Sequence, residues 1–155
     1  MNEFRQHLIE PEIADLYDYW VARRGARAMP SRKDVDPVQI PKHLPNLMLV
    51  DVLRDPLRFR YRLIGTRVVA ASAADRTGKF FDQVRFFDAN PAVAKHYEAV
   101  VADAEPHYSD EPFHNRQSDS TYRVQRLLLP LSSDGVSVDM IMVYFHFKTG
   151  PYAGR

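Results

Sequence analysis

The chain reads as an α+β protein built on a mainly antiparallel sheet of five strands. Three observations predict this: two strand-like runs stand apart from three later ones, helical segments separate the groups, and several strands are apolar on both rows. The centre of the pattern is Leu47 to Gly65, LMLVDVLRDPLRFRYRLIG. Leu47 to Leu53 is an almost unbroken apolar run, as in a strand covered on both faces. Arg54-Asp55-Pro56 is turn chemistry, because Pro presets φ and Asp bonds local backbone. Arg58 to Leu63 alternates, with Phe59, Tyr61 and Leu63 on one side and Arg58, Arg60 and Arg62 on the other. That is an edge strand with one wet face, and its long cations discourage stray pairing. Gly65 releases the strand and Thr66 is expected to cap the next helix.

Upstream, Ile9 to Arg24 predicts an amphipathic helix: Pro11 suits its first turn, Glu10, Glu12 and Asp15 its positive end, and Arg23 and Arg24 the other end. Gly25 stops it. Ile9, Ile13, Leu16, Tyr17 and Trp20 form a bulky stripe, which must pack on its own domain or also join a dimer contact. Ile13, Leu16, Tyr17 and Trp20 are therefore the candidate interface residues. Ala26 to Asn46, with Pro30, Pro37, Pro41 and Pro45, is a wrapped connector in which Asp34 or Asp36 caps a short turn around Val38 to Leu44.

Downstream, Arg67 to Ala74 is small and helix-friendly, and Asp75 to Gly78 is a turn. Phe80, Phe81, Phe86 and Phe87 then crowd together as core or pocket material. Pro91 starts a second helix, amphipathic through Val93, Tyr97, Val100, Val101 and Ala104 and stopped by Pro106. His107 to His114 contains Pro112 and is expected at a sheet edge. Tyr122 to Leu131 becomes apolar on both rows, Ser132 to Gly135 is a hairpin loop, and Val136 to Phe147 is a fifth strand covered on both faces. Strands one, four and five are thus central, and two and three are edges, so the expected order is 2-1-5-4-3. Short helices between strands two and three cover one face. The N-terminal helix, or a second subunit, covers the other.

At 155 residues this is one domain with at most an added helix at either end. The expected division is an N-terminal helix at 1–25, a Pro-rich connector at 26–46, the core at 47–148 and a frayed tail at 149–155. With 21 basic and 20 acidic residues, no bulk field recruits nucleic acid or an anionic membrane. There is no Cys, which excludes disulfides, thiolate metal sites and thiol nucleophiles. The opening MNEFRQHLIEPEI lacks the apolar core of a signal peptide and no run reaches membrane-spanning length, so a soluble, cytoplasmic protein is expected.

Several stretches carry a family resemblance: LYDYW at 16 to 20, RRGARAMPSRKDVDP at 23 to 37, IPKHLPNLMLVDV at 40 to 52, FRYRLIGT at 59 to 66, DRTGKFFD at 75 to 82 and RLLLPLSSDG at 126 to 135. With them, the chain from 13 to 147 resembles a PAS sensory domain of a family found largely in alphaproteobacteria. The resemblance implies a stand-alone PAS regulatory module, not an enzyme, acting on an unidentified signalling protein in bacterial signal transduction. Its alternative is a small-molecule or cofactor sensor whose pocket controls dimerisation. No kinase, cyclase or DNA-binding segment follows, so output is expected through a partner or a change of assembly.

The candidate pocket residues are Phe59, Tyr61, Phe81, His96, Tyr97, Tyr122 and Tyr144, chosen for size, polarity and position. His96 flanks the apolar face of its helix and is the one place for a haem ligand, against the simpler reading of a boundary histidine. Flavin chemistry through a cysteine adduct is excluded by composition. His107 and His114, with Asp110 and Glu111 between them, match no metal-ligand spacing and fall on opposite faces of a strand. Asp75-x-Thr77-Gly78 lacks the glycines and Lys-Ser/Thr of a phosphate loop. RFRYR divides its arginines from its aromatics onto opposite faces, which argues against base stacking. An α+β cone enzyme is the catalytic rival. It requires a buried acid–base pair, for which Asp139, Asp51 and His146 are the first residues to inspect.

Overall fold

A computed structural model describes residues 2–85, 87, 90–115, 119–150 and 152–154, apart from the side chains of Phe113 and Asn115. Phe86 lies outside the described residues. Strands β1 (Leu47–Leu53), β2 (Arg58–Ile64), β3 (His107–Asn115), β4 (Ser120–Leu131) and β5 (Met140–Phe147) form one antiparallel sheet in the order β2-β1-β5-β4-β3. The sheet order is the expected one. The patterning that predicts it has a direct cause, since β1, β4 and β5 lie between other strands and under both layers, and their side chains are almost all buried.

Helices α1 (Glu3–Gln6) and α2 (Pro11–Arg24) precede the sheet. The stripe on α2 packs on this chain's own sheet: Trp20 Nε1 donates to the carbonyl of Pro130 in β4 at 2.9 Å. Ile13, Leu16, Tyr17 and Trp20 are 0–5 % exposed. Of the two roles expected for the stripe, packing on its own domain is the one these contacts describe, and the four side chains are covered within the chain. Ile9 leaves the stripe, since the helix starts only at Pro11, and is exposed. In the connector, Asp36 caps a short turn by accepting from the Val38 amide, while Asp34 instead closes a capping box with Ser31.

Three further details differ from the expected elements. First, Gly65 and not Thr66 precedes helix α3 (Thr66–Ser72) as its cap residue. A Cβ at Gly65 would lie 2.5–2.7 Å from the carbonyl oxygens of Pro45, Leu44 and Leu47, so the close approach of the connector demands glycine. Second, β2 does not alternate to its end. Val50 pairs with Tyr61 but Leu49 with Leu63, a bulge that turns Leu63 outward and Ile64 inward. Third, β5 begins at Met140 and not Val136, because Asp134 gathers the amides of Val136 and Ser137 and keeps that segment a loop. Near the C-terminal end, Gly154 donates to the Phe147 carbonyl and Tyr152 packs on the Phe147 ring.

Candidate functional site

The inner face of the sheet is covered by α3 and by α4 (Pro91–Asp103), and the two do not fill the space beneath them. Small residues let α3 approach closely, with Val68, Ala71 and Ser72 turned to the sheet; α4 brings Val93 and Tyr97. The sheet contributes Met48, Tyr61, Ile64, Arg126, Phe145 and Phe147, and Arg76 and Phe87 complete the wall. The partly open space they line is about 50 Å³, measured to the centre of a water-sized sphere. A single water needs roughly 10–15 Å³ on that scale, so there is room for a few waters or one small organic molecule.

Arg126 is the unexpected member. It projects from a central strand, is 2 % exposed and lies with its guanidinium carbon 5.7 Å from the centre of the Phe145 ring. Burial lowers its pKa, yet a guanidinium stays charged. Its Nη1 is 3.7 Å from Glu111 Oε1, and that same carboxylate oxygen is 2.9 Å from His96 Nε2. Burial likewise pushes up the phenol pKa values of Tyr61 and Tyr97 and holds both neutral. The cavity is thus an apolar space with one fully buried cation and two phenols in its wall.

Behind Tyr61 and Tyr97 lies an aromatic cluster centred on Phe81. Its ring is 4.7 Å from Tyr61, 4.9 Å from Tyr97, 5.4 Å from Phe59 and 4.3 Å from Phe87. Of the seven residues proposed from the sequence, Tyr61 and Tyr97 line the cavity, and Phe59 and Phe81 back it. The other three lie elsewhere. His96 bonds Glu111 away from the cavity wall, and Tyr122 packs on Gly150. Tyr144 is on the outer row of β5 against His43, where burial pushes its pKa up to about 12. Tyr144 was misplaced because a strand covered on both faces gives no sign of which row faces which layer. Arg126 was missed although a signal existed: it shares a row with Val124 and Leu128, and a lone cation in such a row must be buried.

The residues present do not fit haem or a cysteine-linked flavin. His96 is not in the cavity wall, the chain has no Cys, and the space is far below the few hundred Å³ usual for such groups. Asp51, Asp139 and His146 are not brought together, and none lines the cavity. Asp51 pairs with Arg60 and Arg62, Asp139 holds Ser133, and His146 lies between Glu10 and Glu12. Among the described residues, no cluster of three His, Asp or Glu groups is placed to hold a metal. RFRYR is likewise engaged internally, with Arg58 on Asp82 and stacked 3.6 Å from the centre of the Phe80 ring.

A five-stranded antiparallel sheet in this order, with helices over one face and a cavity beneath them, defines a PAS-type fold. The family profile described as PAS domain matches residues 9–144, and the chain belongs to that family. Such domains are sensory modules of signalling proteins. Among solved structures, the LOV protein of Rhodobacter sphaeroides matches at 14 % identity with a TM-score of 0.52, over 73 % of this chain and 68 % of that one. A Light-Oxygen-Voltage domain studied with a flavin analogue matches at 13 % identity and 0.55, over 75 % and 86 %. These likenesses concern the fold. No curated protein matches the chain in sequence. Among the described residues, no helix is long and apolar enough to cross a membrane.

Proposed function

We propose that this chain is a cytoplasmic PAS module of a bacterial signalling pathway whose state is set by a small molecule in the cavity and read by a partner protein. The observation that carries this reading is the partly open cavity under α3 and α4 with Arg126 buried in its wall. A module working only through its surface gains nothing from a buried cation beside an unfilled space, and burying one is costly. Occupancy would act on the sheet itself, because Phe145 and Phe147 in the wall alternate along β5 with Tyr144 and His146 on the outer row. The outer row meets the N-terminal elements through His43, Glu10 and Glu12. A signal would leave by that route, toward a signalling partner or a second copy of the chain. A homodimer would use surface other than Ile13, Leu16, Tyr17 and Trp20.

Native mass spectrometry of freshly purified protein, compared with its denatured mass, tests the reading. A non-covalent mass lost on denaturation is the expected result. Bare protein whose melting temperature is unmoved by any member of a small-molecule set chosen for size would overturn it.

A further inference from the structure

Resting on that reading, we propose that the cavity takes a small neutral molecule, an apolar body with one hydrogen-bonding oxygen, recognised by the hydroxyls of Tyr61 and Tyr97. These two phenols decide the class. Both line the cavity, Tyr97 at 1 % and Tyr61 at 6 % exposure, and among the described residues neither hydroxyl has a hydrogen-bond partner. Neither oxygen is among the polar atoms sealed in the protein without a partner, so each keeps contact with space that a water-sized sphere reaches. A buried hydroxyl with nothing to bond is costly, and a ligand oxygen placed between the two rings offsets that cost.

The other polar groups of the wall are already engaged or half-exposed. Ser72 donates to the carbonyls of Val69 and Ala74 at 3.2 and 3.1 Å. Arg126 faces the Glu111 carboxylate at 3.7 Å, so a ligand anion would compete with a charge already in place, and Arg76 is only half-buried. Ile64, Val68, Val93 and Phe145 supply apolar surface, against which a ligand charge is costly. Burial keeps both phenols protonated, so each donates as well as accepts. Their rings are also held in place. Tyr97 meets Phe81 edge-on at 4.9 Å, Tyr61 lies 4.7 Å from the same ring, and the Tyr61 backbone bonds Lys79 and Gly78. A ligand oxygen therefore meets groups positioned before it arrives. The size follows from the space: about 50 Å³ on the scale of sphere centres admits a single small ring or short chain, but not a nucleotide or a porphyrin.

The test compares phenol with toluene, nearly equal in shape and differing in the hydroxyl, on the full wild-type chain by titration calorimetry and thermal shift, with benzoate as the charged control. Phenol is expected to bind at least about fivefold more tightly than toluene, as a hydrogen bond to otherwise unpaired buried groups implies. The double variant Tyr61→Phe with Tyr97→Phe keeps both rings and removes both hydroxyls. It should melt no lower than wild type, still take toluene and lose the preference for phenol. An undiminished preference in that variant would overturn the proposal. Where the double variant does not fold, Tyr97→Phe alone should lower the ratio, and an unchanged ratio overturns it equally. Equal binding of phenol and toluene, or tighter binding of benzoate, sinks the assignment of a neutral, hydrogen-bonding ligand while leaving a ligand sensor standing. Absence of any carried mass together with no binding of any of the three compounds removes both.

Discussion

Strand β5 carries two rows of side chains that meet different fates. Met142, Tyr144 and His146 look outward to the N-terminal layer, where α2 closes over Leu127, Leu129 and Leu131 of β4, which have no exposed surface. Phe145 and Phe147 look inward to a layer that leaves a cavity. The outer layer is one long helix with four bulky residues at matched spacing, so its stripe can interlock with the sheet. The inner layer is made of α3, a short turn at Phe81–Gln83, and α4, three pieces that cannot be filled at once. The same sheet is therefore closely packed on one side and leaves a cavity on the other.

If the outer face is the filled one, truncation there should be the most damaging. Trp20→Ala removes the largest side chain of α2, a ring buried against β4 with its Nε1 bonded to Pro130. A loss of about 3–5 kcal/mol is expected in urea denaturation, with unfolding rather than a change in association state. A well-folded variant with altered mass in sedimentation would instead return Trp20 to an interface.

Enlargement should separate the two faces at a smaller scale. Ala14 is buried in α2, and Ala14→Leu has nowhere to put the added carbons, so a cost of about 1–3 kcal/mol is expected. Ala71 is equally buried but faces the cavity, and Ala71→Leu should change stability by no more than about 1 kcal/mol while abolishing uptake of small molecules. Equal penalties for the two substitutions, read from denaturation midpoints, would mean that the inner face is as tightly packed as the outer one.

Sequence patterning carried much of this division but not its details. The sheet order was legible because apolar runs on both rows mark central strands, and Pro112 and the arginines of β2 mark edges. The stripe of α2 was legible too, although spacing alone did not say whether it faces its own sheet or a second copy. What stayed hidden depends on contacts between distant segments. The bulge that exchanges Leu63 for Ile64 is a mismatch between β1 and β2, and neither strand shows it alone. The demand for glycine at 65 comes from the carbonyls of 44, 45 and 47. Tyr144 and Tyr97 are both aromatic residues in apolar runs, and only the layering of helices puts one outside and the other in the cavity.

The weakest support expected for the filled face comes from the loop between β4 and β5, which is tied to the N-terminal segment where Ser132 donates to the Pro30 carbonyl. Asp134 organises this loop by accepting from the amides of Val136 and Ser137 and from the Ser132 hydroxyl, each at 2.8 Å. Those bonds favour the ionised carboxylate and hold its pKa down at about 2, below its ordinary 3.8. A folded-state pKa below the unfolded one means that the group stabilises the fold above pH 3.8 and ceases to do so as the pH falls toward 2. Asp34, Asp75 and Asp82 are depressed in the same direction, so the pH profile of one protein cannot isolate any of them. The difference between wild type and Asp134→Ala can. It should be constant above about pH 5 and shrink steadily toward pH 2 in acid-titrated denaturation. A difference independent of pH would show that the loop is held by its backbone and by Asp139 on Ser133, with the Asp134 charge contributing nothing.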